Sequence, residues 1–321
     1  MWQYMIRRFL QMIPTLIGIS IIIFFISVLI PGDFVDSNKN PNLSIERAAQ
    51  LRSLYGLDQP LHIRYFTWAG NMIQGNLGDS LQHKMPVTKV IKTYIWNSFI
   101  ISLASLVISW TVALIVGTIS AIKQYSLIDK TTTFFVFTAM SLPSFFLGLL
   151  LIKLFAVDLG YFPIGGMTTA GASGATGMSY FKDVVNHMVL PVTVLVMINA
   201  GQLTRFFRTS MLDVIRQDYI RTARAKGLKE SKVIFKHALR NALLPAITLL
   251  GFEIPGLFAG SIITESIFIW PGIGKVYLAS INIRDYPLML GFTMFSAVLT
   301  LIGTYISDIL YGMADPRIRL K

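Results

Sequence analysis

The sequence has no cysteine, which excludes a disulfide framework and thiolate ligation of a metal and leaves the redox compartment open. Histidine is almost as scarce: His62, His83, His187 and His237 are scattered, without the paired spacing that a metal-ligating helix or loop requires. A Walker phosphate loop is missing too, because Gly274-Lys275 is followed by Val276 and lacks the upstream glycine. No nucleophile and general base stand together, which argues against an enzyme. Charge is in shortest supply: 14% of the 321 residues are charged, against about a quarter in soluble domains, while 54% are hydrophobic. Water is therefore not the main solvent of this chain.

What is present is a series of long apolar runs. A bilayer core about 30 Å thick needs roughly twenty apolar residues in helix, because every backbone N–H and C=O must be satisfied within the segment. Residues 9–30, 98–122, 131–155, 188–207, 242–269 and 287–312 meet that requirement. The expected fold is an all-α integral membrane protein of about six transmembrane helices. Pro31-Gly32-Asp33 closes the first run. Arg7 and Arg8 precede it as in a secretory signal, but the run is too long for cleavage and has no A-x-A site, so an uncleaved anchor is expected.

The net charge of +12 would suggest nucleic acid if it were spread evenly. It is not. Arg7, Arg8, Lys123, Lys130, the cluster from Arg205 to Arg240, and Arg317, Arg319 and Lys321 all fall in alternate connections or at the ends. Cytoplasmic loops carry the excess of Lys and Arg, so both termini are expected in the cytoplasm, with residues 313–321 as a tail. The basic residues within 31–97 do not oppose this, because loops longer than about sixty residues translocate largely regardless of charge.

Segment 31–97 is too long for a bare connector and is expected to form a small extracytoplasmic cap. Ser44 followed by residues 47–57 reads as a helix stopped at Gly56, and Tyr65, Phe66, Trp68 and Leu77 are apolar anchors or an interfacial aromatic belt. The glycine-rich run from Gly165 to Gly177 resembles a phosphate cradle only superficially, since no strand precedes it and no Gly-Lys-Ser/Thr follows. It reads as a flexible surface loop.

The basic segment 213–236 carries more information. Asp213 is a candidate N-cap, with Val214, Ile215, Tyr219 and Ile220 on one helical face and Gly227 as the stop. A second amphipathic helix begins near Glu230, with Val233, Ile234 and His237 at helical spacing. Two short helices joined at a glycine also describe a DNA-binding helix-turn-helix, but tethering to transmembrane helices at both ends keeps this pair from a major groove. A basic pair resting on anionic lipid remains open. Docking onto a cytoplasmic partner accounts for more, because Thr222, Ala223, Ala225 and Gly227 leave the bend almost without side chain.

At this point the sequence resembles the inner-membrane permease subunits of peptide and nickel ABC importers, along essentially its whole length. Met5-Ile6-Arg7-Arg8 through Pro14-Thr15-Leu16 is similar to the family's opening. Leu54-Tyr55-Gly56-Leu57-Asp58-Gln59-Pro60-Leu61, Arg64-Tyr65, Trp68 and Gly75-Asn76-Leu77-Gly78-Asp79-Ser80 resemble the external loop of its B-type oligopeptide and dipeptide subunits, and Asp315-Pro316-Arg317-Ile318-Arg319 their ending. The family's coupling motif runs E-A-A, three residues, Gly, then I-x-L-P; here Arg221-Thr222-Ala223 and Gly227 stand at the first places. The acidic position is Arg221, and His237-Ala238-Leu239-Arg240 replaces the later tetrad, with Pro245 five residues beyond. The form Arg221-Thr222-Ala223-Arg224-Ala225-Lys226-Gly227 is similar to that of peptide permeases.

The resemblance implies a type I importer permease in the cell membrane that binds no cofactor itself. It implies a homologous second permease, two ATPase subunits that use ATP and magnesium and grip the coupling helices, and an extracytoplasmic solute-binding protein. Peptides are the implied solute; nickel, haem, glutathione or an oligosaccharide would suit other members, and an ATP-independent channel is the rival from another class.

Within the spans, Glu253 is an isolated carboxylate just before Pro255 and Gly256. Placing one at the bilayer centre costs roughly 2.5–3.5 kcal/mol on insertion scales, so it is expected to line a pathway or to sit in an ion pair or hydrogen bond. Asn199, Gln202 and Asp308 could line the same route. Pro143 is expected to kink the third span and Pro255 the fifth. Met140, Met188, Met197, Met289 and Met294 read as packing residues.

Overall fold

The computed structural model describes residues 2–29, 32, 35, 44–54, 56–171 and 177–314. Pro31, Asp33, Tyr55 and the tail from Asp315 onward, named above, lie outside the described residues. The first helix, α1 (Trp2–Leu29), contains Pro14. Two shorter helices follow, α2 (Ile45–Leu54) and α3 (Leu61–Ile73), then a two-stranded hairpin of β1 (Asp79–Ser80) and β2 (Met85–Pro86). The Ser44 hydroxyl accepts from the Arg47 N–H at 3.2 Å to start α2. Tyr65 and Trp68 of α3 lie 5.4 and 5.7 Å from the Phe24 ring of α1, whereas Phe66 is exposed.

Two helices are longer than the apolar runs that announce them: α4 (Val87–Ile122) has 36 residues and α7 (Met178–Ile215) has 38. At 1.5 Å per residue they reach about 54 and 57 Å, well beyond a hydrocarbon core of about 30 Å. The extension of α4 is held by protein rather than lipid. Val87, Val90, Ile91 and Ile95 recur at helical spacing and are buried against Ile273, Val276, Leu288 and Phe292.

Along their shared length α4 and α7 approach closely because α4 presents Ser105, Ser109, Ala113, Gly117 and Ala121 as a small, buried stripe. A Cβ on Gly117 would stand 2.8 Å from the Thr204 carbonyl oxygen and 2.9 Å from Phe207 Cβ.

The expected third span is instead two helices, α5 (Leu127–Ser141) and α6 (Ser144–Asp158), meeting at 101°. Pro143 forces the preceding Leu142 into extended backbone (φ −87°, ψ 131°), which ends α5 outright. Counting the bent pair as one crossing, the described residues hold up to six apolar spans.

The fifth span is interrupted too. Helix α10 (Leu244–Ala259) passes through Pro255 and stops at Gly260, whose φ of +74° suits glycine, before α11 (Ile262–Ile267) resumes. A short apolar helix, α12 (Ile273–Ile283), follows, and α13 (Tyr286–Ala314) completes the fold. Gly251 and Gly303 seat α10 on α13, since a Cβ on either would stand 2.3 Å from Ser307 Cβ or 2.7 Å from the Pro255 ring. Asp285, fully buried, ties the start of α13 to the β-hairpin by accepting from the Ser80 hydroxyl at 2.6 Å and the Gln82 N–H at 3.0 Å.

Candidate functional site

Two features stand out, a helical hairpin at one end of the bundle and a polar cavity in its middle. The hairpin consists of α8 (Asp218–Ala225) and α9 (residues 230–242), the latter with a π-helical turn over Val233–Ala238. Asp213 is not its N-cap: it lies inside α7, with Val214 and Ile215 in that helix's last turn. The first helix starts after Gln217, whose extended backbone (ψ 149°) sets its N-cap. Its apolar face is therefore narrower than expected, Ile220 and Ala223 being buried while Tyr219 is exposed.

The turn between the helices follows from Gly227. With φ at +73°, its N–H reaches the Arg224 carbonyl at 2.9 Å and the Leu228 N–H reaches that of Ala223 at 3.4 Å, the paired bonds of a Schellman end. Across the turn the Arg224 guanidinium donates to the Glu230 carboxylate at 2.7 Å, holding Glu230 below and Arg224 above their usual pKa ranges.

The inner face of the hairpin is a small core of its own. Ile220, Ala223, Val233, Ile234, Ala238 and Ala242 bury against Ala121 at the end of α4 and Met211 near the end of α7. Beside it Asp129 accepts two bonds from Arg208, at 2.7 and 2.9 Å, one from the Tyr125 N–H at 2.9 Å and one from the Ser120 hydroxyl. This joins the α4–α5 turn to α7. The outer face keeps Arg221, Thr222, Arg224, Ala225, Lys226 and Gly227 exposed, together with Tyr219 and Phe235.

The polar cavity, of about 280 Å³, is bounded by α4, α7 and α10 and by the break at Gly260-Ser261. Glu253 and Asn199 share it with Ser102 and Ser105. Gln202 is exposed elsewhere on α7. Asp308 is not part of it. It pairs with Arg8 at 3.4 Å across the α1–α13 contact, beside a separate space of about 480 Å³. Periodicity explains the separation, because Gly251 and Pro255 face α13 and leave Glu253 on the opposite side of α10.

A second carboxylate, Glu265, stands inside the same expected run, 242–269, close to its end, and the sequence reading does not single it out. Glu265 is fully buried and accepts from the Ser98 hydroxyl at 2.6 Å, the Ser261 N–H at 3.1 Å and the Lys275 N–H at 3.0 Å. Gly272 and Gly274 make room for it; a Cβ on Gly272 would stand 2.3 Å from its carboxyl carbon. The only sequence signal is glycine at residues 260, 272 and 274 flanking a lone glutamate.

Similarity to known proteins falls on all of these elements. Residues 113–320 match the family described as Binding-protein-dependent transport system inner membrane component, and residues 1–99 match its N-terminal counterpart. The oligopeptide transport system permease protein AppB of Bacillus subtilis is 44% identical over 319 residues, covering 99% of each chain. The di/tripeptide permease DppB of Pseudomonas aeruginosa is 38% identical over 99% of each chain, and the dipeptide permease DppB of Escherichia coli 36% over the full length of both. With family matches over residues 1–99 and 113–320 and relatives aligned over nearly its whole length, the chain belongs to the inner-membrane permease components of binding-protein-dependent transport systems.

Proposed function

We propose that this permease carries peptides inward as one half of a pathway completed by a homologous second permease subunit. The named activities of the relatives, oligopeptide, di/tripeptide and dipeptide transport, support peptides as the solute. Both termini and the α8–α9 hairpin face the cytoplasm, and the segment 31–97 faces a solute-binding protein outside. Two separate ATPases consume ATP and magnesium, so the chain itself catalyses no reaction. Residues 221–227 enter a groove on one of them.

One observation supports this reading best: the hairpin rests on the ends of α4 and α7, and the same two helices contribute Ser102, Ser105 and Asn199 to the cavity. A push on the exposed Arg221–Gly227 surface therefore reaches the cavity through two rigid helices, which is what alternating access requires. Small residues at the bend allow close approach, while Tyr219 and Phe235 offer exposed aromatic anchors.

The test is uptake by proteoliposomes holding the permease pair and its ATPases, with peptide-loaded binding protein outside. Labelled peptide should accumulate only with ATP enclosed. Accumulation at the same rate without ATP would mark a channel instead.

A further inference from the structure

The reading above leaves open what the cavity around Glu253 recognises. Glu253, Asn199, Ser102, Ser105 and Ser261 line it, so a carboxylate, an amide and three hydroxyls face the same space, and no Lys, Arg or His is among its lining residues. Among the described residues the Glu253 carboxylate makes no hydrogen bond or ion pair. Ser105 is 1% exposed, and its hydroxyl also has no partner. Polar groups left without partners in an apolar surrounding are costly, which makes them good acceptors for a ligand that supplies the missing protons.

We propose that this cavity takes the protonated α-amino group of a peptide in passage, a reading that rests on the transport function argued above. The chemistry selects that end of the molecule. An α-amino group has a pKa of about 7.7–8.0, so at neutral pH it is mainly a cation with three donors. Glu253 supplies the opposite charge, and Ser105 and Asn199 supply further acceptors. A peptide carboxylate would instead meet Glu253 with like charge and find no cation. The cavity volume, about 280 Å³, is just under the roughly 300–1,000 Å³ of pockets that enclose whole ligands, and so fits one end of a peptide. Recognition by the amino end is also indifferent to side chains, as a broad peptide pathway needs.

The absence of cysteine makes the test clean, because Ser102→Cys creates the only thiol in the chain. In the assembled importer in proteoliposomes, the labelling rate of that thiol is measured with three methanethiosulfonates: aminoethyl, trimethylammonioethyl and sulfonatoethyl. Rates are normalised to those with a free thiol. The primary ammonium should react at least tenfold faster than the sulfonate and several-fold faster than the trimethylammonium, which has charge but no N–H donor. Glu253→Gln should collapse both ratios toward one. Equal rates for the two cations would show that charge alone is read. Ratios unmoved by Glu253→Gln, or no labelling by any reagent, would also overturn the assignment. ATP-dependent uptake by the same vesicles reports separately on the transport reading.

Discussion

Removing the Glu265 carboxylate should unfasten the α10–α12 region more than any other single change in a span. In Glu265→Ala three donors lose their acceptor: the buried Ser98 hydroxyl and the part-buried Ser261 and Lys275 N–H groups. Each unsatisfied buried donor costs about 1–3 kcal/mol. Ser98 cannot simply turn away, because its oxygen also accepts from the Ile273 N–H at 2.8 Å. Water entering the vacated space would offset part of the sum, leaving about 3–5 kcal/mol, or at least a hundredfold in the unfolding equilibrium. Glu265→Gln keeps the volume and part of the acceptor capacity but turns an N–H₂ toward a donor, for about 1–3 kcal/mol. The assay is detergent-to-SDS unfolding of the purified chain, read by tryptophan fluorescence, since Trp270 is buried and its N–H reaches the Asn97 carbonyl at 2.9 Å. An alanine variant within 0.5 kcal/mol of the native chain, or a glutamine variant less stable than the alanine one, would refute this account of the network.

Gly227→Val should strain a backbone at φ +73° by roughly 1–2 kcal/mol yet meet no neighbouring atom, so the chain should insert normally while ATPase co-purification falls at least tenfold. Unchanged co-purification and uptake would remove the docking role. Asp129→Asn breaks a bidentate pair whose arginine is 27% exposed, and should cost roughly 2–3 kcal/mol in the same SDS titration, somewhat below a fully buried pair. Glu253→Gln should slow peptide uptake several-fold with ATPase assembly intact, and unchanged kinetics would return that carboxylate to a structural role. Because Arg224 lowers the Glu230 pKa, their contact stabilises the hairpin above the ordinary glutamate value of 4.5 and is lost as pH falls through the lowered folded value. With both side chains over two-fifths exposed it contributes roughly 0.2–1 kcal/mol, so Arg224→Ala should flatten a small acid-side fall in hairpin protection by hydrogen exchange.

How much of this was legible depends on range. Apolar runs locate helices because lipid tests each residue separately, and Gly227 marks the hairpin's turn because a positive φ is a local demand. Hydropathy reads only contact with lipid, however. It therefore misses residues 87–97 of α4, whose apolar face is covered by protein, and both ends of α7, which run past the apolar stretch. Asp213 shows the same limit, because an acidic residue before an apolar pair looks like a helix start until a neighbouring helix carries the turn onward.

Composition and periodicity by themselves determined that the chain lives in a bilayer, that it crosses it about six times and that a basic hairpin interrupts the crossings, because those properties are sums over neighbouring residues. Only the tertiary structure decided which polar groups meet. Asp308 goes to Arg8, Asp129 to Arg208 and Glu265 to Ser98, while Glu253 is left facing an open cavity. Those pairings join residues as much as 300 positions apart, as Arg8 and Asp308 are, and follow from how the helices pack rather than from the order in which they occur.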